Sequence, residues 1–335
     1  MTPFAYSCTA SIAAAVQSGA RHRSDGVREP GADFFAGGTD MVQLMRENLR
    51  NPGRVVDITG LPALDGIEQR PEGLRLGALA RMSDVAAHAS VREHYPVISE
   101  ALLASASAQV RNLATLGGNL LQRTRCGYFR DPGAPCNKRE PGSGCPAIVG
   151  ANRLHAVLGV SDACIATYAG DFANALVALE AEVRISGVSG ERAVPIAELH
   201  CQPGGTPEVE TRLAPGELIT AIDVPARFMS WRSHYLKVRD RASFEWALAS
   251  AAIALDMDGQ TVRDARVAVG GVATTPWRLP AVESALRGQR LTRRLAQQAS
   301  ESAAAGAVPR ERNAYKIELI KRTVARALEE TGALT

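Results

Sequence analysis

Two stretches decide the reading of this chain: ADFFAGGTDM at 32–41 and QVRNLATLGGN at 109–119. The first reads as a strand running into a glycine turn, AGGTD (36–40). The second is the end of a longer segment, SEALLASASAQVRNLATLGGN, which reads as a helix running into another glycine turn, TLGGN (115–119). Glycine permits positive φ and lets backbone N–H groups approach a ligand with no Cβ in the way. Successive N–H groups in such turns form concave nests that suit a pyrophosphate, and Thr39, Thr115 and Asn119 can add side-chain hydrogen bonds. Neither turn matches GxGxxG or a Walker A loop, which disfavours a Rossmann or P-loop fold. A GG pair by itself is only a tight turn; two pairs, each followed by Thr or Asn, point to a ligand without naming it.

Around these turns the pattern alternates. TASIAAAVQSGA predicts a short helix capped by Thr9 or Ser11, and VVDITGL and GLRLGALA predict strands. SDVAAHASV opens a helix near Ser83, DFANALVALEAEVRIS gives a helix then a strand, and GELITAIDVP gives a strand. Beyond residue 228, SHYLKV and RVAVGGV read as strands and the alanine-rich FEWALASAAIAL as a helix. The last segment, ERNAYKIELIKRTVARALEE, is an amphipathic helix with Ile317, Ile320, Val324 and Leu328 on one face.

The region 122–152 breaks this order. It shows little periodicity and carries prolines at 132, 135, 141 and 146. A loop this long inside a compact domain is uncommon unless functional or disordered. It also concentrates thiols: Cys126, Cys136, Cys145 and Cys164 follow the spacing C-x9-C-x8-C-x18-C, whereas Cys8 and Cys201 stand alone and read as packed or surface thiols. Four thiolates suffice for a tetrahedral zinc site or a [4Fe-4S] cluster. Structural zinc sites usually use close pairs such as C-x2-C, and none is present; iron–sulfur clusters accept widely spaced cysteines. Six basic residues (Arg123, Arg125, Arg130, Lys138, Arg139, Arg153) against three acidic ones (Asp131, Glu140, Asp162) suit a cluster that carries net negative charge. A metal centre is the reading; zinc, a cluster and unligated thiols all stay open at this level.

Length and composition set wider bounds. At 335 residues, with 46% hydrophobic and 22% charged, the chain suits two or three globular domains. A net charge of +3 predicts neither a nucleic-acid nor a membrane partner. The longest nearly apolar run, ALASAAIAL at 247–255, is too short to span a bilayer, so no membrane insertion is expected. MTPFAYSCTASIAAAVQSG lacks the pattern of a signal peptide, so the expectation is a soluble chain made in the cytoplasm, which could be exported if folded onto a partner that carries a signal. Asp171 and Lys237 have a default reading as solvated surface charges.

In order along the chain, AGGTD, QVRNLATLGGN, GDFANALVALEAEV, GELITAIDVP and KVRDRASFEWALAS resemble the FAD-binding medium subunits of molybdenum hydroxylases, the xanthine dehydrogenase and carbon monoxide dehydrogenase group. The resemblance covers nearly the whole chain. Most of that family passes straight from the GGN turn to the helix near Asp171, whereas here residues 122–165 intervene with all four clustered cysteines. GNLLQRTRCGYFRD, PCNKREPGSGC and GVSDACIA look like one branch of the family, the FAD- and [4Fe-4S]-containing subunit of a bacterial periplasmic aldehyde oxidoreductase.

The resemblance implies an α+β fold. An FAD-binding unit of the vanillyl-alcohol-oxidase type would have subdomains at 1–60 and 61–225, followed at 226–335 by a sheet-plus-helices domain of the CO dehydrogenase flavoprotein type. It implies that Asp33, Phe34, Phe35, Ala36, Gly37, Gly38, Thr39, Asp40 and Met41 wrap the FAD pyrophosphate from one side. Thr115, Gly117, Gly118 and Asn119 would wrap it from the other. Asp171 would hold the adenosine ribose, Ile219 would lie against the adenine, and Lys237 would approach the flavin. Cys126, Cys136, Cys145 and Cys164 would ligate a [4Fe-4S] cluster. The subunit would take electrons from the [2Fe-2S] clusters of a small subunit, downstream of a large molybdenum-cofactor subunit in a heterotrimer, and pass them to an external acceptor. No catalytic residue for substrate oxidation is expected in this chain. A free-standing flavin oxidase and a zinc-stabilised nucleic-acid-binding protein are the rival readings.

Overall fold

A computed structural model describes residues 1–20 and 32–333. The α+β expectation stands: the described residues form twelve strands in three sheets, with helices between them. Strands β1 (Ala5–Cys8), β2 (Ala32–Phe35) and β3 (Arg54–Asp57) form a parallel sheet in the order β1-β3-β2. Parallel neighbours need a crossover: the helix Ile12–Ala20 and then β2 come between β1 and β3 in the chain, and the helix Met41–Arg46 comes between β2 and β3. Ser11 caps it, accepting from the Ala14 amide at 3.2 Å, so Ser11 rather than Thr9 supplies the cap.

Strands β4 (Ile67–Arg70), β5 (Gly73–Gly77), β6 (Glu182–Gly187), β7 (Gly190–Pro195) and β8 (Leu218–Pro225) pair antiparallel in the order β4-β5-β8-β6-β7. The helices Pro96–Ala104 and Phe172–Ala178 share its core, in which Tyr95, Ile98, Leu102, Phe172 and Leu176 are fully or almost fully buried. The expected single helix through 99–119 is broken. Ala106 takes φ +49°, and Ser107 caps a new turn, Ala108–Arg111, by accepting from the Val110 amide. A further turn, Leu116–Leu120, contains the second glycine pair.

The third sheet, β9 (Arg232–Val238), β10 (Ala249–Asp258), β11 (Thr261–Gly270) and β12 (Trp277–Arg278), runs antiparallel in the order β12-β11-β10-β9. Here the expected helix over FEWALASAAIAL is corrected: residues 249–258 are the central strand. The reason is burial on both faces. Ala249, Ala251, Ile253 and Leu255 belong to the core under the C-terminal helix, whereas Ala252 and Ala254 belong to the core of the preceding unit. With both faces apolar the period of two disappears from the sequence, and alanine's helix propensity yields to packing. The helix Tyr315–Thr331 covers one side of this sheet. Of the expected face, Ile320, Val324 and Leu328 are buried and Ile317 is half-buried, and Lys316 joins the buried set. Among the described residues no helix is long and apolar enough to cross a membrane.

Candidate functional site

Strand β2 ends at Phe35, and Gly38 turns the chain with φ +68° into the helix Met41–Arg46. A Cβ on Gly37 would collide with the Leu113 carbonyl, so the first glycine turn packs against the residues just before the second. On the second turn the Gly117 amide donates to Ala78 O at 2.8 Å and is therefore already engaged. Thr115 Oγ1 and Asn119 Oδ1 are buried with no partner. Buried polar atoms rarely stay unpaired, and these two suit a polar ligand lying against the turn. Gly118 lies over Thr115.

Within 33–41 the side chains divide. Asp33 is held by Arg50 (2.5 and 2.6 Å), Phe34 and Ala36 pack on the small core of the first sheet, and Phe35 packs on Gly38. Thr39 is exposed and Met41 half-buried. Asp40 does not cap its helix. Its carboxylate accepts from the Arg123 amide (2.8 Å), from Arg130 (3.0 Å) and from Arg125. Burial pushes the Asp40 carboxyl up, but Arg125, the Arg123 amide and Arg130 outweigh it and hold it below the usual range. Asp40 thus ties the first glycine turn to the start of the cysteine segment.

A cavity of about 480 Å³ opens beside this junction, a size ordinary for a cofactor site. Residues 167–171 form one wall and 245–248 another, with Cys126, Gly127 and residues 153–155 closing it. Arg125 stacks on the Trp246 ring at 4.8 Å. Neither glycine turn is among its lining residues.

Asp171 lines the cavity at the start of the helix Phe172–Ala178 and accepts from Ser105 (2.9 Å), Tyr235 (2.7 Å) and Lys237 (2.8 Å). The surface-charge reading of Asp171 and Lys237 is corrected, since their side chains are only 4% and 3% exposed. The two form one ion pair at 2.8 Å. Lys237 also donates to Ala104 O at 3.1 Å. Ile219, on β8, packs in the core of the second sheet and does not line this cavity. Trp246, Tyr168 and His155 line the cavity without having been singled out from sequence; the aromatic in SFEW was the one available signal.

Cys126, Cys136, Cys145 and Cys164 converge on a single pocket, with Phe129, Lys138 and His155 around them. Backbone amides point at the sulfurs: those of Phe129 and Tyr128 at Cys126, of Ala147 and Ile165 at Cys145, and of Ala166 at Cys164. Burial pushes the Cys126 thiol up to about 11 and raises Cys145 and Cys164 as well. Such thiols stay protonated at neutral pH unless a cationic centre draws off their protons. Pre-aimed amides and sulfurs that are buried at Cys164 and half-buried at the other three fit a thiolate-ligated metal centre. Among the described residues no group of three His, Cys, Asp or Glu is arranged to hold one metal ion.

The segment is stapled on both sides. Arg139 donates to the Tyr128 and Phe129 carbonyls (2.7 and 2.6 Å), and Lys138 pairs with Glu210 (3.0 Å). Its far end runs along the C-terminal domain. There Asn313 holds the Ala156 carbonyl at 3.1 Å, and buried Lys316 holds those of Leu154 (3.1 Å) and Gly271 (2.5 Å). Burial, with Arg153 nearby, lowers Lys316 to about 7. Burial, with Lys316 beside it, lowers His155 to about 4.

The comparisons with known proteins agree with this architecture. The FAD binding domain in molybdopterin dehydrogenase matches residues 2–227, and the CO dehydrogenase flavoprotein C-terminal domain matches residues 234–331. The chain is 47% identical over 308 residues to the aldehyde oxidoreductase FAD-binding subunit PaoB of Escherichia coli K12, spanning 91% of this chain and 93% of that one. It is 25% identical over 302 residues to the glyceraldehyde dehydrogenase medium chain of Sulfolobus acidocaldarius, spanning 89% and 90%. Among solved structures, carbon monoxide dehydrogenase from Hydrogenophaga pseudoflava lacking the Mo-pyranopterin moiety contains a chain that matches with a TM-score of 0.76 at 27% identity, over 99% of each chain. The chain belongs to the family of FAD-binding subunits of molybdenum hydroxylases, to which aldehyde oxidoreductase and carbon monoxide dehydrogenase contribute relatives.

Proposed function

We propose that this chain is the electron-transfer subunit of a molybdenum-dependent aldehyde oxidoreductase. It would bind FAD across the two glycine turns and the adjoining cavity, and a [4Fe-4S] cluster on Cys126, Cys136, Cys145 and Cys164. One observation carries the reading: four cysteines from an irregular segment surround one pocket, and that pocket shares a wall with the cavity. Four cysteine donors on one pocket suffice for such a cluster, and the backbone amides aimed at Cys126, Cys145 and Cys164 suit a centre of net negative charge.

FAD supplies the ability to take electrons singly and release them singly or in pairs. This chain's residues do the rest. Thr115 and Asn119 offer unpaired polar atoms to the cofactor. Gly37 permits the first turn to pack against the residues just before the second, and the Asp171–Lys237 pair, held by Ser105 and Tyr235, fixes the polar end of the cavity. The same reading makes the chain the medium subunit of a heterotrimer with a molybdenum-cofactor large subunit and a [2Fe-2S] small subunit. The complex would be exported to the periplasm together with a signal-bearing partner. A segment rich in proline and glycine, anchored at Asp40 and Asn313, also suits a cluster that orders it.

The test is an anaerobic absorbance spectrum with iron, acid-labile sulfide, zinc and FAD counts on the full chain. Four irons, four sulfides and one FAD per chain are expected, with the iron lost from Cys136→Ser. Zinc without flavin, or flavin with no iron in a chain that oxidises substrate alone, defeats the proposal.

A further inference from the structure

Only two of the described residues line both the thiol pocket and the 480 Å³ cavity: Cys126 and His155. They touch. His155 Nε2 lies 3.1 Å from Cys126 Sγ. The imidazole is 5% exposed and its other nitrogen, Nδ1, is buried without a partner. Its backbone is pinned from two elements. The His155 amide donates to Asn152 O at 2.9 Å, and Asn313 on the C-terminal domain holds the carbonyl of the next residue. The backbone that carries the ring is therefore held on both sides, and the ring nitrogen meets the sulfur at hydrogen-bond distance.

We propose that His155 is a positioning residue that donates Nε2–H to the Cys126 sulfur and thereby sets the reduction potential of the cluster from the side facing the flavin cavity. The argument is one of valence. A ligating thiolate is an acceptor only, so the ring nitrogen that faces it must carry the hydrogen, and Nδ1, with no partner, is the nitrogen left bare. Reduction adds one electron to the cluster, breaks no bond and moves no proton, taking a centre with four thiolates from a net charge of about −2 to about −3. A donor on the sulfur stabilises the more negative state, so its presence raises the potential. The backbone amides on Cys126 act in the same direction, but only the imidazole belongs to both sites.

The inference rests on the cluster reading, and the experiment separates the two. The full chain and its His155→Phe and His155→Gln variants are purified anaerobically, counted for iron and sulfide, and titrated with dithionite while the reduced cluster is followed by EPR. Phenylalanine removes the donor at similar size; glutamine places an amide N–H near the Nε2 position. The Phe variant should be about tenfold harder to reduce, a shift of about 59 mV for one electron, and the Gln variant should recover most of it. Iron and sulfide absent from the unsubstituted chain defeat both readings. Clusters present with unchanged potentials defeat this inference alone. If the Phe variant does not keep its cluster, ¹⁵N-histidine labelling of the unsubstituted chain decides. A ¹⁵N nucleus coupled to the reduced cluster supports the donor, and no coupling overturns it.

Discussion

Replacing Asp40 with asparagine tests how the first glycine turn is bound to the cysteine segment. The Asp40 carboxylate is 15% exposed and faces Arg130 (13%) and Arg125 (22%), and it also accepts from the Arg123 amide. At a separation near 3 Å and an effective dielectric constant of about 20, each ion pair has a gross attraction of about 5 kcal/mol. Desolvation of three charges offsets most of this, and removing one partner of a buried pair typically costs about 3–5 kcal/mol. Glu47, 3.7 Å from Arg130, takes up part of the orphaned charge. The net expectation is a loss of about 3 kcal/mol, or about 6 °C in melting temperature at roughly 2 °C per kcal/mol for a chain of this size.

Because the turn is held from outside by this carboxylate, FAD should also bind at least tenfold more weakly in the variant, a loss of about 1.4 kcal/mol. The assays are thermal unfolding of the FAD-loaded chain and flavin fluorescence on titration. The pH dependence has a fixed sign. The folded Asp40 carboxyl lies below its unfolded value, so its contribution is present above about pH 4 and is lost as pH falls through the folded value. The variant should therefore differ least at the acid end. A melting temperature within 1 °C of the parent, with unchanged FAD affinity, refutes the reasoning. So does strict additivity with Arg130→Gln, because residues in one network should couple.

Gly37→Ala should be severe, at about 2–3 kcal/mol with loss of bound FAD, since the new Cβ meets the Leu113 carbonyl; Gly60→Ala, with nothing within 4 Å, should be silent in the same assays. His234 bridges Glu100 (2.8 Å) on the helix Pro96–Ala104 and Glu330 (2.9 Å) on the C-terminal helix, and these bonds raise its pKa. Its contribution is full below about pH 6.5 and is lost as pH rises through the higher folded value, so His234→Ala should cost about 1 kcal/mol at pH 6 and almost nothing at pH 9. Parallel stability curves for parent and variant would contradict that assignment.

The sequence by itself determined the short-range features. The glycine turn at 36–40, a hydroxyl cap at Thr9 or Ser11, and the buried positions Ile320, Val324 and Leu328 follow from local φ requirements and helical spacing, and the structure keeps them with Gly38 at φ +68° and Ser11 as the cap, whereas Gly117 and Gly118 lie in a helical turn without positive φ. The order of segments was enough to identify the family, and the four cysteines stood out because their surroundings have no period of their own. Tertiary structure alone decided the rest. Residues 249–258 are a strand because two cores bury its two faces, which erases the alternation a strand would otherwise display. Asp171 and Lys237 are a buried pair, and Asp40 serves arginines far along the chain, because chain reversals bring together charges that look solvated in isolation. His155 carried no mark in the sequence. Its position between the thiols and the cavity arises only where the cysteine segment docks on the C-terminal domain, through contacts between residues more than 150 apart.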